Sequence, residues 1–147
     1  MHVSVKGGGA MESASRGNIV PIFQVVSNEL NTPKILICPA DTNRVAAANF
    51  SSGFDNKNVS YFVGVDADTV YPGTILSGDD NFSVGGNQVK SGLLELLTNT
   101  SVSWTGARHE FASNILLADG EVLQPSRTNL QQVFQQTGLA TNRLAIP

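Results

Sequence analysis

The chain has a single cysteine, Cys38, so no internal disulfide and no cysteine-based metal cage is expected. Flanked by Ile35-Leu36-Ile37 and by Pro39, that residue reads as a buried thiol at the end of a strand. Charge is also scarce. Asp, Glu, Lys and Arg make up 14% of the residues, the net charge is −3, and Lys and Arg nowhere cluster. The electrostatic footprint of a nucleic-acid partner is therefore missing, and an anionic membrane surface is disfavoured for the same reason. No apolar run exceeds four residues, far short of the roughly 20 that span a bilayer, so the chain as written reads as soluble. Neither Gly7-Gly8-Gly9 nor Gly85-Gly86 is followed by the Lys-Ser/Thr of a phosphate-binding loop. What remains is a chain of 147 residues, 41% of them apolar, long enough for one domain with a core. Asn, Thr, Ser, Gln and Gly must cover most of its surface.

The most informative stretch runs from His109 to Gly120. The apolar run Ile115 to Ala118 enters Asp119-Gly120 and leaves through Glu121-Val122-Leu123, which predicts a hairpin turning at the Asp-Gly pair. Upstream, Ile19, Ile22, Phe23, Val26 and Leu30 fall at helical spacing. Asn18 is the expected N-cap, Pro21 is tolerated in the first turn, and Thr32-Pro33 is the stop, so the pattern predicts one helix over residues 18–30. Residues 35–38 read as a short buried strand. Residues 58–65 alternate, with Val59, Tyr61, Val63 and Val65 on one face and Ser60, Phe62 and Gly64 on the other, and predict a second strand. Further strands are expected over residues 74–76 and 93–97, the latter paired with Val102 to Trp104 across Thr98-Asn99-Thr100. Near the end, Thr128-x-x-Gln131 reads as a capping box, Leu130, Val133 and Phe134 form a stripe, and Gly138 ends the helix. Helix, strands and helix without βαβ alternation predict an α+β fold, an N-terminal helix on an antiparallel sheet with a C-terminal helix. Residues 1–17 read as a tag remnant, Met1-His2, and a flexible glycine-rich lead-in; residues 18–147 read as the globular domain.

Several pieces, in order, carry a resemblance: Ser27-Asn28-Glu29-Leu30, Thr32 to Asp41 with its Cys38-Pro39-Ala40-Asp41, Asn58 to Gly64, His109-x9-Asp119-Gly120, and Thr141 to Ala145. Together the chain resembles the bacterial type II secretion pseudopilin-like proteins with a C-terminal His-x9-Asp-Gly motif, found in planctomycetes and verrucomicrobia. The resemblance implies a pilin-like head and a structural subunit of a type II secretion pseudopilus or related type IV pilus-like fibre, without catalytic turnover or a required cofactor. It implies an inner-membrane anchor with a periplasmic head in the cell envelope. The implied partners are other pilin-like subunits, met through a long apolar N-terminal helix, and the secretion machinery. The sequence departs from that family in lacking the basic leader, the processing site and the apolar helix, so a soluble, monomeric head is expected.

His109 with Asp119 is the first candidate for chemistry, as part of a hydrolytic triad or as metal ligands. No Gly-x-Ser-x-Gly elbow supplies a nucleophile, and the other histidine, His2, lies in the tag remnant. The preferred reading is structural: Asp119 and Gly120 shape the turn, and His109 is hydrogen-bonded near it with no nucleophile beside it. The second candidate is calcium, at Asp66 and Asp68 or at Asp79 and Asp80. Neither cluster has the spacing of an EF-hand, and a solvated acidic loop is preferred for both. Trp104 reads as a core or sheet-face residue. The rival function is an envelope domain binding carbohydrate or peptide in a cleft lined by Trp104 and Asp/Asn loops. A hydrolase using His109 and Asp119 is the least favoured.

Overall fold

The computed structural model describes residues 9–147. Met1-His2, expected to be a tag remnant, and the first part of the expected lead-in lie outside the described residues. The architecture is mixed α and β, built on an antiparallel sheet of six strands with a second sheet of three.

The large sheet has the order β5 (Gly92–Leu97), β9 (Thr141–Ile146), β1 (Tyr61–Gly64), β2 (Ile75–Asp79), β7 (Ile115–Leu117), β8 (Val122–Leu123). Strand β1 carries the predicted alternation, and both of its faces are covered. Phe62 packs in one cluster with Ile75, Ile115, Leu144 and Ile146, while Val59, Val63 and Val65 pack in another with Ala145. The small sheet, β4 (Asn87–Gln88), β3 (Phe82–Val84) and β6 (Val102–Trp104), contributes Phe82, Val102 and Trp104 to the first cluster. Helix α4 (Leu130–Gln136) completes it with Leu130, Val133 and Phe134, the predicted stripe. Against the other face lie α1 (Ala10–Ala14), α2 (Val20–Val25) and α3 (Ser27–Leu30). Three layers result, with β1 at the centre. Gly64 is required there, because a Cβ on it would sit 1.8 Å from the Ile75 carbonyl oxygen.

The predicted hairpin forms. β7 pairs with β8, with Ile115 opposite Leu123, and Gly120 has φ +92°, which an L side chain resists.

Other local expectations are corrected. The single helix over residues 18–30 is two, breaking at Val26 (φ −100°, ψ 18°), where β-branched Val25-Val26 runs into Ser27-Asn28, all weak helix formers. Its stripe is nevertheless right, since Ile19, Ile22 and Phe23 are buried. The N-cap is Ile19, without a side-chain bond, and not Asn18, whose side chain accepts from Val20 N–H at 3.1 Å from one residue further out. The lead-in expected through residue 17 is partly structured: Ala10 and Ala14 of α1 are buried, and Glu12 accepts from Gly9 N–H at 2.7 Å. Residues 33–36 form a 3₁₀ turn, not a strand, because Pro33 presets its first φ and Thr32 accepts from Lys34 N–H. Strand β5 exists but pairs with β9 along its length, not with β6, which belongs to the other sheet. The capping box at Thr128 is absent; the cap is Asn129, without a side-chain bond.

Candidate functional site

Strand β2 ends at Asp79 and is followed by Asp80 and Asn81, three polar residues that are all buried. The solvated loop expected there is wrong, and the reason is a set of partners supplied from distant segments. Asp80 pairs with Arg108 and, at 2.5 Å, with Arg44. Asp41 takes the Arg108 guanidinium at 3.0 Å and the Ser60 hydroxyl at 2.9 Å. Two carboxylates and two guanidiniums thus neutralise one another beneath the surface, as buried charges must. Burial alone would lower the Arg108 pKa; Asp80, then Asp41 and Asp79, outweigh it and hold the guanidinium above its ordinary value.

Arg108 anchors the start of an unusual turn. His109, Glu110 and Phe111 have φ of +52°, +48° and +67°, three successive L residues in the left-handed region. Each such residue costs about 1–2 kcal/mol, so the surroundings must impose the conformation. They do so from both sides. Before the turn, Arg108 is pinned by its carboxylates, and its carbonyl accepts from the Asn81 amide at 3.1 Å. After it, the Phe111 ring lies over Gly106, with the Arg127 guanidinium 4.7 Å from the ring centroid. Ala112 N–H closes the turn on the His109 carbonyl at 3.0 Å.

The consequence is the direction of the imidazole. His109 Nε2 lies 3.0 Å from Cys38 Sγ and 3.9 Å from Asp79 Oδ1. The other carboxylate oxygen of Asp79 accepts from Asn114 N–H at 2.9 Å, which orients the group. Cys38 is buried, as expected, though it follows a 3₁₀ turn and not a strand. These side chains border a cavity of about 410 Å³ lined also by Tyr61, Ser77, Gly78, Asn114, Leu116 and Val122. Burial, reinforced by Cys38 and Asp79 and opposed by Arg108, raises the Tyr61 phenol above its ordinary 10.0.

Compared with known proteins, the chain matches no family model, no curated protein and no solved structure.

The site therefore rests on its own geometry, which differs from the sequence expectation. Asp119 does shape its turn, accepting from Glu121 N–H at 2.9 Å. The acidic partner that His109 finds is Asp79, and a thiol stands beside it where no nucleophile was expected. Of the calcium candidates, Asp66 is bound to Arg143, Asp68 accepts from Val70 N–H at 2.9 Å, Asp80 is bound to Arg44 and Arg108, and Asp79 faces Cys38 and His109. The four do not converge. Trp104 is 1% exposed and donates its indole N–H to the Pro125 carbonyl, so it lines no open cleft. Sequence reasoning missed the roles of Cys38, Arg108 and Asp79. A signal was present for Cys38 and His109, which both stand in the pieces that carry the family resemblance.

Thiol and imidazole in contact suggest a nucleophile and base, but the arrangement is not that of a triad. In a triad the carboxylate holds the ring nitrogen opposite the one that faces the nucleophile. Here Sγ and Oδ1 approach the same nitrogen.

Proposed function

We propose that the chain is the globular head of a pilin-like structural subunit of a type II secretion pseudopilus or a related type IV pilus-like fibre. The observation that carries the reading is that the separated pieces on which the resemblance rests bond to one another. Strand β1 pairs with β9, Ser60 N–H donates to the Leu36 carbonyl at 2.8 Å, Asp41 takes Ser60 and Arg108, and Cys38 meets His109. Four of the pieces thus meet in the folded chain, as parts of one shared pattern are expected to. In this role the polar corner is a clamp: it fixes the loop that follows β6 onto the central strand, and the head presents a rigid surface to its neighbours. The fibre contacts themselves, and the inner-membrane anchor that leaves the head in the periplasm, belong to an apolar N-terminal helix. No helix among the described residues is long and apolar enough to cross a membrane. Partners are other pilin-like subunits and the secretion machinery, and no turnover is required.

The test is to read the native gene upstream of residue 3 and to label cells carrying it with an antibody raised against residues 9–147. A leader with about 20 apolar residues, and label on envelope fibres, is the expected result. A complete reading frame without such a segment, with no label on envelope fibres, overturns the proposal; label that still follows the envelope then moves the envelope binding domain to first place.

A further inference from the structure

We propose that Cys38, Asp79 and His109 form a three-ligand zinc site whose fourth position opens into the cavity beside Tyr61. The sulfur, carboxylate and imidazole donor atoms lie within 4.8 Å of one another. Tetrahedral zinc, with bonds of about 2.3 Å to sulfur and about 2.0–2.1 Å to nitrogen and oxygen, places its ligand atoms roughly 3.3–3.6 Å apart. The 3.0 Å separation of Sγ from Nε2 and the 3.9 Å separation of Nε2 from Oδ1 straddle that range. Small side-chain rotations bring the three into register. Donor chemistry selects the ion: thiolate and imidazole suit zinc, whereas calcium requires oxygen ligands throughout.

Two further observations point to a ligand rather than to a chance contact. The imidazole is aimed by a left-handed turn of three L residues, a costly conformation of the kind retained where a side chain must be positioned. Asp79 has one oxygen committed to Asn114 N–H and the other directed to the cluster, the outer-shell arrangement that orients a ligating carboxylate. Binding releases the Cys38 proton to solvent, and the dication with a thiolate and a carboxylate is locally neutral. The open position would look into the cavity that Tyr61, Ser77 and Asn114 help to line.

The experiment uses the full chain carrying His2→Ala, so that His109 is the sole imidazole, stripped with chelator and titrated with zinc and with cobalt. The expected result is about one equivalent bound, a rise in melting temperature with zinc, and a thiolate-to-cobalt charge-transfer band with tetrahedral d–d bands. Cys38→Ser abolishes the charge-transfer band and weakens zinc binding by more than the roughly 10–100-fold that loss of an outer-shell partner costs. Asp79→Asn weakens it as well, and Asp119→Asn leaves it unchanged. Circular dichroism of each apo variant shows whether the fold persists. Should Cys38→Ser or Asp79→Asn not fold, the wild-type cobalt spectrum alone decides the matter. Sub-stoichiometric binding, cobalt bound without a charge-transfer band, or a folded Cys38→Ser variant of unchanged affinity overturns the proposal and leaves a plain thiol–imidazole hydrogen bond.

Discussion

Arg108→Met keeps the length and apolar stem of the side chain and deletes its guanidinium. In the folded chain that group meets Asp80, Asp41 at 3.0 Å and the Ser60 carbonyl at 3.4 Å, and the two carboxylate side chains are only 4% and 5% exposed. After the substitution Asp80 retains Arg44 at 2.5 Å, whereas Asp41 is left with the Ser60 hydroxyl, the Asn43 N–H at 3.1 Å and Arg44 at 3.8 Å. Removing one partner of a buried pair costs about 3–5 kcal/mol, and the surviving Arg44 puts the expectation near the lower end, about 3 kcal/mol. For a domain of this length that corresponds to a fall of roughly 10 °C in melting temperature. Urea denaturation at neutral pH gives the free energy, and the Arg108→Met/Asp80→Asn double variant gives the coupling. Because Arg108 and Asp80 are direct partners, both single variants lose the same pair, so the loss in the double variant should be smaller than the sum of the single losses by about 1–3 kcal/mol. An Arg108→Met protein within about 1 kcal/mol of wild type, or strict additivity, would refute the view that the corner is held by mutual neutralisation.

Three further outcomes follow from other parts of the molecule. Glu110→Gly relieves one left-handed L residue, worth about 1–2 kcal/mol, at an entropic cost of about 0.5–1 kcal/mol, so a small net stabilisation is expected; a loss of more than about 1 kcal/mol in thermal melts contradicts it. Gly64→Ala forces β1 from β2, since the new Cβ would lie 1.8 Å from the Ile75 carbonyl, and should cost about 3 kcal/mol or abolish soluble yield; an unchanged melt refutes the close approach. Tyr61 is raised above 10.0 chiefly by burial, so on alkaline titration the unfolded chain loses that proton first. Its contribution is therefore complete below pH 10 and declines as pH climbs from 10.0 toward the folded value, a slope that Tyr61→Phe should flatten when denaturant midpoints at about pH 9 and about pH 11 are compared.

Elements decided by neighbouring residues were legible in the sequence. The Asp119-Gly120 hairpin, the alternation around Phe62 and Val63, and the stripe of Leu130, Val133 and Phe134 are all written in adjacent positions. Pairings decided by distant residues were not. Strand β5 lies close in sequence to β6, yet its partner is β9, whose register runs from Gly92 opposite Ile146 to Leu97 opposite Thr141. Residues 35–38 look like a strand because they are apolar, but Thr32 and Pro33 just upstream set a tighter turn. The candidate site fails for the same reason in a sharper form. Asp119 is close to His109 in the motif, and spacing made it the natural partner. Nothing in Arg108-His109-Glu110-Phe111, which contains no glycine, announces a left-handed turn. That turn, clamped by buried charges on one side and by Phe111 on the other, swings the imidazole to a cysteine 71 residues away.

Proton NMR of the metal-free chain tests that direction. With Nε2 at 3.0 Å from Sγ, the ring protons of His109 lie within range of a nuclear Overhauser effect to the β-protons of Cys38. A cross-peak from the His109 ring to Cys38, with none to Asp119, is the predicted result. A His109 ring that shows contacts to Asp119 or none at all, while Cys38 remains buried, would contradict it.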